Sequence, residues 1–121
     1  MSSERLLLEE KSPWWGEHQH RYLEVLKELS GSEDVLDIAC GTGYGTDILS
    51  KKCRSIIGGD INDEAIEMNS KLWNRPNIKF MTMDGTQLPF EDERFDVLVS
   101  FETIEHTTQY IQMLNEFNRV V

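Results

Sequence analysis

Apolar positions along the chain alternate between two spacings. From Glu17 to Leu29 they fall at Tyr22, Val25, Leu26 and Leu29, the interval of a helix with one buried face, and Ser30-Gly31-Ser32 ends that helix. Val35-Leu36-Asp37-Ile38-Ala39 is a short apolar run holding one acid, as expected of a buried strand. A glycine-rich turn, Gly41-Thr42-Gly43-Tyr44-Gly45, leads into a helix that runs to about Lys52. Ser55 to Gly59 forms a second strand that ends in Asp60. Asn62 caps the next helix, with Asp63 and Glu64 in the first turn where the helix dipole favours acids, and that helix runs to about Trp73. Ile78 to Met83 makes a third strand ending in Asp84-Gly85, Pro89 to Arg94 a polar turn, and Phe95 to Phe101 a fourth strand. A last helix spans about Thr108 to Val120, with Tyr110, Ile111, Leu114 and Phe117 on one side. Residues 1 to about 16 read as a loose lead with a turn at Ser12-Pro13.

Strands that alternate with helices predict parallel βαβ units: an α/β fold, with a mostly parallel sheet flanked by helices on both faces. The four visible strands are expected in the order 3-2-1-4. Ligands of such sheets bind outside the carboxyl ends of the strands. Those ends are where the unusual residues fall. Asp37 lies inside the first strand and the turn Gly41-Thr42-Gly43 follows it, and the glycines allow close approach of backbone to ligand. Asp60 ends the second, where a carboxylate accepts hydrogen bonds from both ribose hydroxyls and repels a 2′-phosphate. Asp84 ends the third, placed to accept from the amino group of a base. The three together describe a pocket for an adenosine with a polar tail. A dinucleotide fingerprint shares the first two signals but needs glycine six positions into the loop, and counting from Gly41 that position is Thr46.

Composition narrows the partners. The 121 residues suffice for one domain, 1–121, and 39% of them are hydrophobic. Twelve basic against 22 acidic residues give a net charge of −10, with no basic cluster longer than Lys51-Lys52 near Arg54, so no nucleic-acid partner is expected. Leu6-Leu7-Leu8 is too short and too closely bounded by charge to be a signal or a membrane span. Cys40 and Cys53 match no zinc spacing and read as free thiols of a cytoplasmic protein. No metal site is expected.

The segments VLDIACGTGYG, GGDINDEAI, MDGTQLPFEDERFDVLVS and FETIEH, in this order from Val35 to His106, resemble the successive motifs of the class I S-adenosylmethionine-dependent methyltransferase family. The resemblance implies a seven-stranded Rossmann-like sheet, S-adenosylmethionine as cofactor and S-adenosylhomocysteine as product. It sets Asp37, Ala39 and Gly41-Thr42-Gly43 around the methionine end, Asp60 on the ribose hydroxyls, Ile61 against the adenine, and Asp84 with Gly85 at the adenine edge. Phe101 and Glu102 would border the transferred methyl. Glu105 and His106 resemble the glutamate and histidine of relatives in which the pair is either a catalytic base or a brace for the loop after the fourth strand; both readings stay open. The leading helix, with His18, His20, Arg21 and Tyr22, would cover the cofactor in some relatives, although a solvated face is the simpler reading, and Trp14 and Trp15 would line an acceptor pocket or, more simply, anchor that helix to the core.

Two departures stand out. Ala39 occupies a position where the family usually has glycine, and its methyl is tolerated there if φ is negative. The family also continues past the point reached at Val121, into a fifth strand and a closing hairpin. The fourth strand is then expected at an exposed edge that invites a homodimer or a completing partner. The expected function is methyl transfer to a small-molecule acceptor, at oxygen or nitrogen rather than carbon. The alternatives are a non-catalytic or partner-completed S-adenosylmethionine-binding module and a nucleotide-dependent oxidoreductase.

Overall fold

The computed structural model describes residues 5–9, 15–101 and 109–121. Its elements in chain order are β1 (Arg5–Glu9), α1 (Trp15–Glu28), β2 (Asp34–Ile38), α2 (Tyr44–Ser50), β3 (Ser55–Asp60), α3 (Asp63–Leu72), β4 (Ile78–Thr82), β5 (Val97–Phe101) and α4 (Tyr110–Val120). The sheet order is β1-β5-β2-β3-β4 and every pairing is parallel. The four strands read from the sequence, β2 to β5, stand in the expected order 3-2-1-4.

Central parallel strands are covered on both faces, which is why β2 and β5 are almost continuously apolar. Successive side chains point to opposite faces. Val35, Ile56, Val97 and Val99 pack under Tyr22, Val25 and Leu29 of the α1 segment and Leu49 of α2. Leu36, Ile38, Ile57 and Leu98 pack under Met113, Phe117 and Val120 of α4. Asn62 caps α3 as expected, its side chain accepting the Ala65 N–H at 3.1 Å.

Two regions depart from expectation, the lead together with the β5 edge, and α4. The lead is not loose throughout, because residues 5–9 form β1, which runs parallel to β5 with Leu7 opposite Val99. The turn at Ser12-Pro13 lies outside the described residues. With β1 on one side and β2 on the other, β5 is not an edge, and the expected docking of a homodimer or completing partner on that edge is overturned. An apolar strand with a free row of N–H and C=O groups is costly, and the short Arg5–Glu9 run satisfies it within the chain. The second correction concerns α4. Met113, Phe117 and Val120 form its buried side, whereas Tyr110 and Ile111, expected on the apolar side, are exposed.

Candidate functional site

The carboxyl ends of β2, β3 and β4 enclose a cavity of about 320 Å³, at the small end of the range for ligand sites. Ile38 and Ala39 line it from β2, Gly59, Asp60 and Ile61 from β3, and Met83, Asp84, Gly85 and Thr86 from the end of β4. Gln109 and Met113 close it from α4 and the residue before it. Among the described residues the lining carries two carboxylates and no Lys or Arg. Carboxylates accept hydrogen bonds, so this set suits ligand hydroxyl and amino groups. It opposes phosphates.

Each carboxylate is oriented by backbone. Asp60 Oδ2 accepts the Gly41 N–H at 3.0 Å and Oδ1 accepts the Asn62 N–H at 3.1 Å. One side chain thus ties the glycine turn after β2 to the helix start after β3. Asp84 Oδ1 accepts from the N–H and the hydroxyl of Thr86, at 2.9 and 2.8 Å. These bonds, the backbone one foremost, hold the Asp84 carboxyl below its usual range, so it is ionised at neutral pH. Ile61 stands at the rim, 72% exposed, an apolar residue offered to whatever fills the cavity.

The glycine turn is closed by Gly43 N–H donating to Cys40 C=O at 3.0 Å. Gly41 at its second position has φ +55°, as a type II′ turn requires. Ala39, just before the turn, has φ +62°, so the condition for a harmless methyl, a negative φ, is not met. An L-residue in this region is strained by roughly 1 kcal/mol or more. Ala39→Gly is therefore expected to raise stability by about 0.5–1 kcal/mol after the entropic cost of glycine. Urea denaturation reads the change; a loss of stability would contradict the strain.

Asp37 is fully buried and absent from the cavity wall. Thr46 Oγ1 donates to its Oδ2 at 2.8 Å, and Tyr22 Oη lies 3.0 and 3.2 Å from its two oxygens. Burial lifts its carboxyl from 3.8 to about 7; the Thr46 and Tyr22 bonds oppose that rise and nearby Asp60 adds to it. Between those two values the folded chain holds a proton that the unfolded chain has lost. Stability from this group is therefore complete below pH 4, falls as pH rises and levels off above pH 7. Between pH 5 and 8 the parent should lose on the order of 2 kcal/mol relative to Asp37→Asn. Denaturant titrations of both proteins at several pH values measure this. Parallel pH profiles would contradict it.

Of the residues expected at the site, Ala39, Asp60, Ile61, Asp84 and Gly85 meet around the cavity. Gly41 joins through Asp60, while Thr42 and Gly43 face α3. Phe101 is buried with its ring 5.0 Å from that of Tyr22, edge to face, and does not reach the wall. Glu102, Glu105 and His106 lie outside the described residues, as do Trp14 and the side chain of His18. Ile38, Gly59, Met83, Thr86, Gln109 and Met113 are wall residues that sequence reasoning missed. Ile38, Gly59 and Met83 carried a signal, as neighbours of the residues singled out at the strand ends.

The family described as methyltransferase domain matches residues 36–121. A probable S-adenosylmethionine-dependent methyltransferase of Mycolicibacterium smegmatis is 31% identical over 114 residues, which are 94% of this chain and 43% of that protein. A phthiotriol/phenolphthiotriol dimycocerosates methyltransferase of Mycobacterium ulcerans is 35% identical over 96 residues, 78% of this chain and 35% of that one. The chain thus spans less than half the length of these curated relatives. Among solved structures, the YcgJ protein of Bacillus subtilis superposes with a TM-score of 0.80 at 26% identity, over 86% of this chain and 47% of its own. Parallel strands in this order, carboxylates at two adjacent strand ends, and a family match over most of the chain agree: the chain belongs to the class I S-adenosylmethionine-dependent methyltransferases, with their Rossmann-like fold and their cofactor.

Proposed function

We propose that the chain is the cofactor-binding domain of an enzyme that moves the methyl group of S-adenosylmethionine to a small-molecule acceptor. The single observation that carries this reading is the cavity itself: Asp60 and Asp84 at neighbouring strand ends over a floor of Met83 and Met113, with no cationic side chain among the described residues of the wall. In this reading Asp60 accepts the ribose hydroxyls and Ile61 covers one face of the adenine. Asp84 Oδ2 and the backbone of Gly85 meet the adenine edge. The turn Gly41-Thr42-Gly43 lies along the methionine end, and Phe101 stands behind it as part of the α1 packing. Asp37 and Ala39 act indirectly, the first through Tyr22 and Thr46 and the second by shaping the entry to the turn.

The cofactor supplies an activated methyl on a sulfonium, so little covalent chemistry is asked of the protein. What remains is to hold the acceptor in line with the methyl and to keep water away. A base is needed only where the acceptor must shed a proton, and Glu105 with His106 is the pair we assign to that role or to bracing the loop. Oxygen or nitrogen is the favoured acceptor atom. The relative named for phthiotriol, a hydroxyl-bearing substrate by its name, supports oxygen. The two free cysteines, Cys40 and Cys53, both buried, support a cytoplasmic setting.

The test is release of S-adenosylhomocysteine with the chain, methyl-labelled S-adenosylmethionine and separate panels of alcohols and amines. Acceptor-dependent label transfer is the expected result. Binding of cofactor with no transfer to either panel would favour the reading as a non-catalytic or partner-completed binding module.

A further inference from the structure

The glycine turn is gripped from behind by α3 and the residue that follows it. Asn69 is 2% exposed, and its Nδ2 donates to the carbonyl of Gly41 at 2.7 Å. Trp73, one turn further on, donates from its indole N–H to the carbonyl of Thr42 at 2.8 Å. A side chain at Gly43 would strike this pair, since an added Cβ falls 2.7 Å from the Trp73 ring and 3.0 Å from Asn69. The same end of α3 is tied down independently, because Arg75 forms an ion pair with Asp47 of α2 and Asn77 donates to the Ser50 carbonyl at 2.8 Å.

Two consecutive carbonyls are thus turned toward α3. In a trans peptide the C=O and the next N–H point in opposite directions. Holding the Gly41 carbonyl on Asn69 therefore turns the Thr42 N–H away from α3. Holding the Thr42 carbonyl on Trp73 turns the Gly43 N–H toward Cys40, whose carbonyl it meets at 3.0 Å. The Thr42–Gly43 plane is held within the turn by the Gly43 N–H bond to Cys40, whereas glycine leaves the Gly41–Thr42 plane free to rotate unless something outside the turn sets it. Asp60 holds only the peptide before them, through the Gly41 N–H.

We propose that Asn69 and Trp73 are positioning residues for the cofactor: they orient the two peptide planes of the glycine turn that receive its amino-acid end. This rests on the reading of the site given above, in which that end lies along Gly41-Thr42-Gly43. A role in orientation differs from a general structural role in one respect. It acts on the part of the ligand that meets the turn and leaves the nucleoside part untouched.

Calorimetry of the chain with S-adenosylhomocysteine and with 5′-methylthioadenosine separates the two, because the second ligand keeps the adenosine and the sulfur and lacks the amino acid. Asn69→Ala is expected to weaken S-adenosylhomocysteine by about tenfold. Trp73→Phe, which keeps an aromatic ring and loses the N–H, should weaken it by about fivefold. Both variants should bind 5′-methylthioadenosine within about twofold of the parent. Equal losses for the two ligands, or no loss for either, would overturn the proposal. Trp73→Phe keeps the test open should Asn69→Ala fold poorly. Asp60→Ala is the control and should weaken both ligands. A control that moves while the Asn69 and Trp73 variants do not overturns the positioning role alone, and a control that moves neither ligand overturns the site reading beneath it.

Discussion

Gly45→Ala is expected to destabilise the chain by about 3–5 kcal/mol, although Ala is ordinarily the better helix residue by about 1 kcal/mol. Gly45 lies in α2, and a Cβ there would sit 2.2–2.4 Å from three atoms of the Tyr22 ring. The ring has nowhere near to go. It packs edge to face on Tyr44 at 5.7 Å and on Phe101 at 5.0 Å, and its hydroxyl is bonded to buried Asp37. Forcing it out adds an overpacking cost of roughly 1–3 kcal/mol to the penalty of leaving the buried Asp37 carboxyl without this partner, worth about 1–3 kcal/mol. The third glycine of the turn is thus a packing glycine: it lets α1 lie down on α2. Urea denaturation followed by circular dichroism measures the effect. A loss below about 1 kcal/mol would show that Tyr22 finds another place.

Asp60→Ala should weaken S-adenosylhomocysteine by about 1.5–3 kcal/mol, roughly tenfold to a hundredfold or more in dissociation constant. Two losses combine. In the proposed reading the ribose loses its acceptor, and the glycine turn loses the bond from Gly41 N–H to Oδ2. The fold should survive, because Asp60 is only half-buried at a strand end and contributes to neither apolar cluster. Calorimetry on the variant decides. An unchanged dissociation constant would place the ribose elsewhere.

How much of this was legible beforehand depended on whether the governing contact is local. The cap at Asn62, the helix and strand alternation and the acids at strand ends are signalled within a few residues of themselves. Strand β1 is not. Arg5–Glu9 is a five-residue run with charged ends, and only its pairing with β5, far along the chain, makes it a strand. The buried side of α4 was misread for a similar reason. Tyr110 and Ile111 share the helical interval with Leu114, yet the sheet meets Met113, Phe117 and Val120. Asp37 was legible as an unusual acid in an apolar strand. That its partners are Tyr22 and Thr46 rather than a ligand follows from the docking of α1, which no local motif encodes. Ala39 is the opposite case: the departure from glycine was visible in the sequence, and its cost appears only with φ at +62°.

In the proposed reading this cavity holds an adenosyl group without phosphates. Isothermal titration of the chain with S-adenosylhomocysteine, and in parallel with NAD, tests it most directly. The expected result is one-site binding of S-adenosylhomocysteine and no measurable heat from NAD, since Asp60 and Asp84 line a wall whose described residues include no Lys or Arg. Comparable binding of NAD, or a folded chain that ignores S-adenosylhomocysteine, would contradict it.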